Sequence, residues 1–156
     1  MLQVKNDSIL PIPTDELIAD VEKYYRIMFP KEYIAFIKKY NGAKPITDTF
    51  IVDKHEYAIE RFMCLLGDLV DDYEEGWADI EVIITEIGAR LSDDGNRIGK
   101  KLIPIAALFA GDYVCLDFRN SEEEPEVCIW YHEESEDFAP KTRKIANNFN
   151  EFLDML

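Results

Sequence analysis

The sequence predicts an α+β domain in which a central, mostly antiparallel sheet is packed by an N-terminal pair of helices, a middle helix and an amphipathic C-terminal helix. Apolar residues recur at helical spacing near both ends of the chain, and short runs rich in β-branched and aromatic residues lie between them. The length of 156 residues is that of one ordinary domain, and no internal repeat or low-complexity linker divides it. We therefore expect residues 1–156 to form a single domain.

The first two elements are predicted to be helices. Thr14 is suited to cap a first helix, whose apolar residues recur at helical spacing as far as Met28. Pro30 can open a second helix, because the fixed φ and missing N–H of proline are tolerated there. Asn41 and Gly42 are expected to end that helix, since glycine readily adopts the left-handed conformation found after a helix.

The middle of the chain alternates between strand-like and helix-like patterns. Residues 46–52 and 61–66 are apolar runs that predict two strands. Residues 77–91 return to helical spacing and predict the middle helix, although their β-branched residues are also compatible with a strand. A turn is expected at residues 92–96, where Ser, Asp, Gly and Asn are concentrated.

Two further elements follow from proline placement and helical spacing. Residues 102–105 predict a strand, which should lie at a sheet edge or at a bulge because Pro104 cannot donate a hydrogen bond to a neighbouring strand. Residues 142–156 place their large apolar side chains on one helical face. The latter segment is therefore predicted to be a terminal helix that docks on the sheet.

The clearest β-hairpin in the chain is predicted for residues 113–118 and 127–132. Gly111 and Asp112 supply the turn before it, and the first of the two strands alternates its side chains with a period of two. Trp130 in the second strand is interpreted as a core or sheet-face residue.

Two acidic segments account for the whole net charge of -15. The first acidic segment, residues 68–81, holds seven Asp and Glu residues, and the second acidic segment, residues 121–138, holds eight. Neither contains Lys or Arg, and the rest of the chain is balanced, with 17 acidic and 17 basic residues. Localised anionic surfaces predict a basic protein partner and argue against nucleic acid, whose phosphates they would repel.

The first acidic segment places aromatic side chains among carboxylates, which is typical of an interface with aromatic anchors. The alternative is a solvated loop followed by a first helical turn, whose acids favour the positive end of the helix. The candidate partner-binding residues here are Asp68, Asp71, Asp72, Tyr73, Glu74, Glu75, Trp77 and Asp79.

The second acidic segment surrounds one strand of the predicted hairpin. Glu122, Glu123 and Glu124 fall in the hairpin loop, whereas Glu133 and Glu134 follow the partner strand. These five candidates are therefore expected at opposite ends of that strand, where they need not form one surface. Their field would attract a basic partner in a salt-sensitive manner.

Metal and cofactor chemistry has little support in the sequence. Cys64, Cys115 and Cys128 lie in apolar runs without the close spacing of a zinc or redox motif, and we expect buried, reduced thiols. The two histidines, His55 and His132, are not spaced as a ligand pair. We therefore predict no metal and no cofactor.

Catalysis is likewise not predicted. Asp112 and Asp117, with His132 nearby, allow a catalytic or metal-binding hypothesis, but both aspartates are suited to structural roles at a turn and a strand end. No phosphate-binding loop or nucleophile motif is present. No apolar run is long enough to span a membrane, so we expect a cytoplasmic protein that does not contact membranes.

The order of several short motifs resembles that of SUKH-superfamily domains, which are named for cell-wall assembly regulators and related bacterial immunity proteins. The motifs are FPKEYIAF at 29–36, YNG at 40–42, IPIA at 103–106, GD at 111–112, CLDFR at 115–119 and VCIWYHE at 127–133. The positions matched to structural roles in that pattern are Pro30, Asn41, Gly42, Pro104, Gly111, Asp112, Asp117 and Trp130. The resemblance spans nearly the whole chain but is weakest between residues 47 and 97.

The resemblance implies a binding domain that is not an enzyme. Bacterial members are associated with polymorphic toxin systems, in which they bind and neutralise a cognate toxin domain, often a nuclease. Eukaryotic relatives are regulators and interaction hubs. We therefore expect a cytoplasmic immunity-type protein that binds a basic toxin domain, and a regulatory interaction module without a toxin is the alternative. The sequence does not fix the oligomeric state.

Overall fold

The computed structural model describes residues 2–93 and 101–156, which form an α+β fold as predicted. The helices are α1 (Asp15–Tyr25), α2 (Lys31–Tyr40), α3 (Ile80–Ile87) and α4 (Phe149–Leu153), and 3₁₀ helices span Gly67–Asp72, Glu74–Ala78, Gly88–Leu91 and Phe109–Gly111. The strands are β1 (Thr49–Val52), β2 (His55–Phe62), β3 (Leu102–Leu108), β4 (Tyr113–Asp117), β5 (Glu126–Trp130) and β6 (Thr142–Ala146).

The N-terminal helix pair begins and ends close to where the sequence predicts. The Thr14 hydroxyl accepts a hydrogen bond from the backbone N of Leu17 at 3.1 Å, and Pro30 directly precedes α2. Gly42 has a φ of +70°, so the left-handed residue after α2 is confirmed. Helix α1 ends at Tyr25 rather than Met28, because Arg26 adopts a left-handed φ of 59° and closes the helix.

The sheet is a six-stranded antiparallel meander with the strands in chain order from β1 to β6. The predicted hairpin is confirmed as β4 and β5. Strand β3 lies in the interior of the sheet, with all seven residues buried, so placing it at an edge is wrong. The bulge alternative is correct, because the register between β3 and β4 shifts between Pro104 and Ala106.

Two predicted strands begin or end elsewhere. Strand β1 begins at Thr49, and β2 occupies His55–Phe62 rather than residues 61–66. Residues 63–66 are apolar because they cross the core, where each is at most 4% exposed. Hydrophobicity does not predict the start of β2, because its first two residues, His55 and Glu56, are polar and exposed.

The predicted C-terminal helix is partly wrong. Residues 142–146 form strand β6, which pairs with β5, and only Phe149–Leu153 are helical. Asn148 begins α4 by accepting a hydrogen bond from the backbone N of Glu151 at 2.9 Å. Ile145 and Phe149 stand four residues apart, a spacing that suits a helix but here spans a strand and the helix that follows it.

The predicted middle helix is also shorter than residues 77–91. Helix α3 covers Ile80–Ile87, and 3₁₀ helices precede and follow it. Of the turn predicted at residues 92–96, positions 94–96 lie outside the described residues.

Both faces of the sheet are covered. The consecutive β4 residues Val114, Cys115 and Leu116 point alternately to the two faces, and all three are fully buried. One face packs against α2 and α4, where the Phe36 ring lies 4.8 Å from Phe62 and 5.2 Å from Phe149, measured between ring centroids. Helix α3 packs against β3, and this leaves the first acidic segment at the surface beside α3.

Candidate protein-binding surface

The first acidic segment folds as two successive 3₁₀ helices that lead into α3. Its backbone is held by hydrogen bonds between residues three apart: Tyr73 N donates to Val70 O, Gly76 N to Tyr73 O, and Asp79 N to Gly76 O. Gly76 is required for close packing of the two turns, since an added Cβ would lie 2.6 Å from Val70 O. The first acidic segment is therefore compactly folded and is not an open loop.

Asp79 anchors this segment from inside the protein. Its carboxylate accepts hydrogen bonds from the backbone N of Leu66 and Glu81, both at 2.8 Å, and of Val82 at 3.1 Å. The residue is 2% exposed, and its burial raises the pKa of the carboxyl group. Asp79 was predicted to contact a partner; its side chain is instead a buried cap of α3, unavailable to a partner in this fold.

Asn41 holds the chain on the other side of the acidic segment. Its side-chain Nδ2 donates to the carbonyl of Ile9 at 3.0 Å, and its Oδ1 accepts from the backbone N of Leu65 at 2.9 Å. The residue is fully buried, so these bonds replace water for two stretches of backbone. The position of Asn41 before Gly42 predicts helix termination alone, and no local signal indicates its tertiary hydrogen bonds.

The remaining predicted residues of the first acidic segment lie at or near the surface. Trp77 is 44% exposed, and the neighbouring Leu69 is 40% exposed. Tyr73 and Glu75 are half-buried, whereas the other four carboxylates, Asp68, Asp71, Asp72 and Glu74, are exposed. Within the described residues, no Lys or Arg forms a salt bridge with any of these acids.

Acids from other elements extend this negative field. Glu81, at the start of α3, has a raised pKa because of burial and the nearby charges of Asp79, Asp20 and Asp68. Its carboxylate also accepts a hydrogen bond from the Tyr25 hydroxyl at 3.4 Å. Asp20 belongs to α1, far away in sequence, and only the tertiary fold brings it to this surface.

The second acidic segment is divided and partly neutralised. Lys101 pairs with Glu122 at 3.0 Å, and Lys144 pairs with Glu126 at 3.2 Å. Glu123 and Glu124 are exposed beside Glu122 in the loop before β5.

Glu133 and Glu134 are exposed beyond the other end of β5. The two groups of glutamates are thus separated by the length of the strand, as the sequence predicts.

The two aspartates considered for catalysis lie at opposite ends of β4. Asp112 Oδ1 accepts a hydrogen bond from the backbone N of His132 at 2.8 Å. Asp117 Oδ1 accepts from the backbone N of Arg119 at 3.0 Å, and its Oδ2 lies 2.8 Å from the Arg119 guanidinium, whose pKa that hydrogen bond raises. Each carboxylate therefore stabilises the backbone at its own end of β4, and the two do not converge on a common site.

The cysteines and Trp130 belong to the core. Cys64, Cys115 and Cys128 are free and buried, and burial raises the pKa of each thiol. Trp130 is fully buried, with its indole N–H donating to the Arg90 carbonyl at 2.9 Å. In the part of the chain that the structure describes, no group of three or more His, Cys, Asp or Glu is placed to hold a metal ion.

The helices of residues 2–93 and 101–156 include none that is both long and apolar enough to cross a membrane.

Comparison with known proteins agrees with the resemblance seen in the sequence. The family model SUKH_6, described as SMI1-KNR4 cell-wall, matches residues 15–153. The SPbeta prophage-derived uncharacterized protein YokK of Bacillus subtilis (strain 168) is 26% identical over 149 residues, which is 91% of this chain and 73% of that protein. No solved structure matches the chain significantly.

Proposed function

Because the chain belongs to the SUKH superfamily, we propose that it is an immunity-type binding protein that neutralises a basic toxin domain by direct contact. The first acidic segment is the proposed contact surface, without the buried Asp79. The relative in Bacillus subtilis is described as prophage-derived, which supports comparison with the bacterial, toxin-associated members of the superfamily.

The observation that carries the proposal is an anionic surface around an exposed indole, without a salt-bridge partner among residues 2–93 and 101–156. Asp71, Asp72 and Glu74 have no salt-bridge partner among the described residues, and Trp77 emerges beside them with 44% of its surface exposed. Unpaired like charges repel one another, so a cationic partner would relieve a cost that the free protein carries. A tryptophan supplies the large apolar contact typical of binding hot spots.

The scaffold suits binding because buried hydrogen bonds hold the chain before this surface and at its junction with α3. Asp79 fixes the segment to α3, and Asn41 fixes the chain just before it. A partner therefore need not order the segment on binding, which lowers the entropic cost of association. The same geometry gives no support to hydrolysis by paired carboxylates, because Asp112 and Asp117 lie apart and are engaged with backbone groups.

The direct test is protection from a toxin domain encoded beside this gene. Co-expression of the two proteins should rescue growth, and the purified pair should bind with an association rate that falls as ionic strength rises. Asp71→Lys with Asp72→Lys should abolish rescue, whereas Glu133→Lys with Glu134→Lys, the same change in net charge elsewhere, should retain it. Equal loss in both variants would show that only net charge matters, and rescue by both would remove the first acidic segment from the interface.

A regulatory interaction module is the second candidate, favoured by the cell-wall description of the matching family. This function would use the same surface for a partner that is not toxic. A strain lacking the gene would then show altered cell-wall integrity without any toxin, whereas the immunity function predicts a defect only when the toxin is present.

A further inference from the structure

A groove runs between α1, the first 3₁₀ helix and α3. Two adjoining cavities of about 580 Å³ and 430 Å³ form it, and both are lined by Leu17, Asp20, Gly67 and Asp68. The α1 and 3₁₀ walls approach closely at Gly67, where an added Cβ would lie 3.2 Å from a Leu17 methyl group. The shared residues make the two cavities one continuous depression.

The two halves of the groove differ in chemistry. The smaller half is mainly apolar and includes Ile12 and Leu69, which are 42% and 40% exposed. Asp20 and Asp68 line both halves, and the larger half adds the carboxylates of Asp79, Glu81 and Glu86 around Val70 and Val82. Among the residues that the structure describes, no Lys or Arg lines either half.

We propose that this groove is the docking site for a basic amphipathic segment of a partner protein, with its apolar residues against Ile12 and Leu69 and its Lys or Arg residues against Asp20 and Asp68. The inference rests on the proposed function, and it names the chemistry of the partner and adds α1 to the binding surface. Charge complementarity selects this occupant, because an acidic or uncharged segment would leave the carboxylates unpaired.

The elongated groove can accommodate one side of a helix or an extended chain better than it can a flat protein surface. Exposed apolar residues at one end, shared acids in the middle and further acids at the other end match a segment whose apolar and basic side chains are separated along its surface. Glu81 lines the same cavity as Asp20, Asp68 and Asp79 and is half-buried, so a cation seated beside it would be partly shielded from solvent.

The test uses the whole chain and an amphipathic Leu/Lys helical peptide of about 16 residues, a length that keeps a helix with a defined apolar face. Binding is measured by calorimetry and located by backbone amide chemical shifts. We expect shifts to concentrate at residues 12–20, 65–70 and 81–86. A peptide with the same lysines but serine in place of leucine should bind at least about tenfold more weakly.

Two matched pairs of variants separate the groove from general charge effects. Asp20→Lys with Asp68→Lys should weaken peptide binding about tenfold or more, and Glu133→Lys with Glu134→Lys at most about threefold. Ile12→Ser should weaken binding more than Ile51→Ser, although Ile51 on β1 is the more exposed of the two isoleucines, at 66% against 42%. Circular dichroism confirms that each variant folds.

Several results would overturn the inference. The inference fails if both charge variants lose the same peptide affinity, if the leucine-free peptide binds equally well, or if the chemical shift changes are confined to another surface. Self-association of the free chain that Ile12→Ser abolishes would assign the groove to a second copy of the chain. Toxin protection separates the two proposals: rescue retained by Asp20→Lys with Asp68→Lys but lost with Asp71→Lys and Asp72→Lys removes the groove and leaves the proposed function standing.

Discussion

The two acidic segments contain similar numbers of carboxylates, but the fold treats them differently. The first is held as one compact unit by Asp79 and has no basic residue paired with it among the described residues. The second is divided by β5, and Lys101 and Lys144 neutralise two of its members. The number of carboxylates in a segment therefore does not define a binding surface. Whether the carboxylates form one surface depends on how the fold positions them and on whether basic residues pair with them. We therefore propose that the first segment makes the contact and that the second contributes only electrostatic steering.

The largest expected effect tests the anchoring of the first segment. Asp79→Ala removes the acceptor for three backbone N–H groups at a buried site and should lower the free energy of unfolding by about 3 kcal/mol. Asp112→Ala removes the acceptor for one exposed N–H, that of His132 in the second segment, and should cost about 1 kcal/mol. Urea denaturation of both variants measures the difference. Equal losses would mean that the first segment is no better anchored than the second.

The sequence predicted best those elements whose signals are local. The Thr14 cap, the Asn41-Gly42 helix end and the β4–β5 hairpin each depend on neighbouring residues, and all are confirmed. Family membership was also predictable, because the motifs keep their order along the chain.

Other features could not be predicted because tertiary contacts decide them. The polar start of β2 is held by its pairing with β1 and not by its own hydrophobicity, and β6 was hidden by apolar spacing that continues into α4. Asp79 looked like any other member of an acidic run, since nothing local distinguishes a buried cap from a surface charge. Asp20 joins the surface only through the packing of α1 beside α3.

The second prediction compares two similarly exposed aromatic residues. Trp77 in the first segment and Phe138 in the second are 44% and 42% exposed. If the first segment makes the contact, Trp77→Ala should weaken binding to the toxin partner by about 2 kcal/mol, or roughly thirtyfold, while Phe138→Ala changes it less than about threefold. Surface plasmon resonance measures both. A larger loss in Phe138→Ala would reverse the assignment of the two segments.

The third prediction concerns pH. Burial raises the pKa values of Asp79 and Glu81 above their ordinary values of 3.8 and 4.5, and for Glu81 the nearby carboxylates raise it further. The folded state therefore holds these protons more tightly than the unfolded state. Their favourable contribution is complete below the ordinary values and is lost as pH rises through the raised values.

Lowering the pH from 7 toward about 5 should therefore raise the free energy of unfolding, by at most about 1 kcal/mol because Glu81 is partly solvated. Thermal denaturation at constant ionic strength measures the slope. Glu81→Gln should reduce that slope more than Glu133→Gln, which removes one charge from the second segment. A protein that loses stability steadily over this range would contradict the assignment.

The smallest expected effect concerns electrostatic steering of the partner by the second segment. Glu133 and Glu134 are exposed and lie away from the proposed contact, so replacing both with Gln should change only the long-range field. The association rate with a basic partner should fall about twofold to threefold at low salt, and the difference should vanish near 0.5 M salt, where the Debye length is only about 4 Å. The dissociation rate should stay unchanged, because it reports contacts made in the complex. Stopped-flow kinetics across a salt series separates the two rates, and faster dissociation would show that the second segment touches the partner after all.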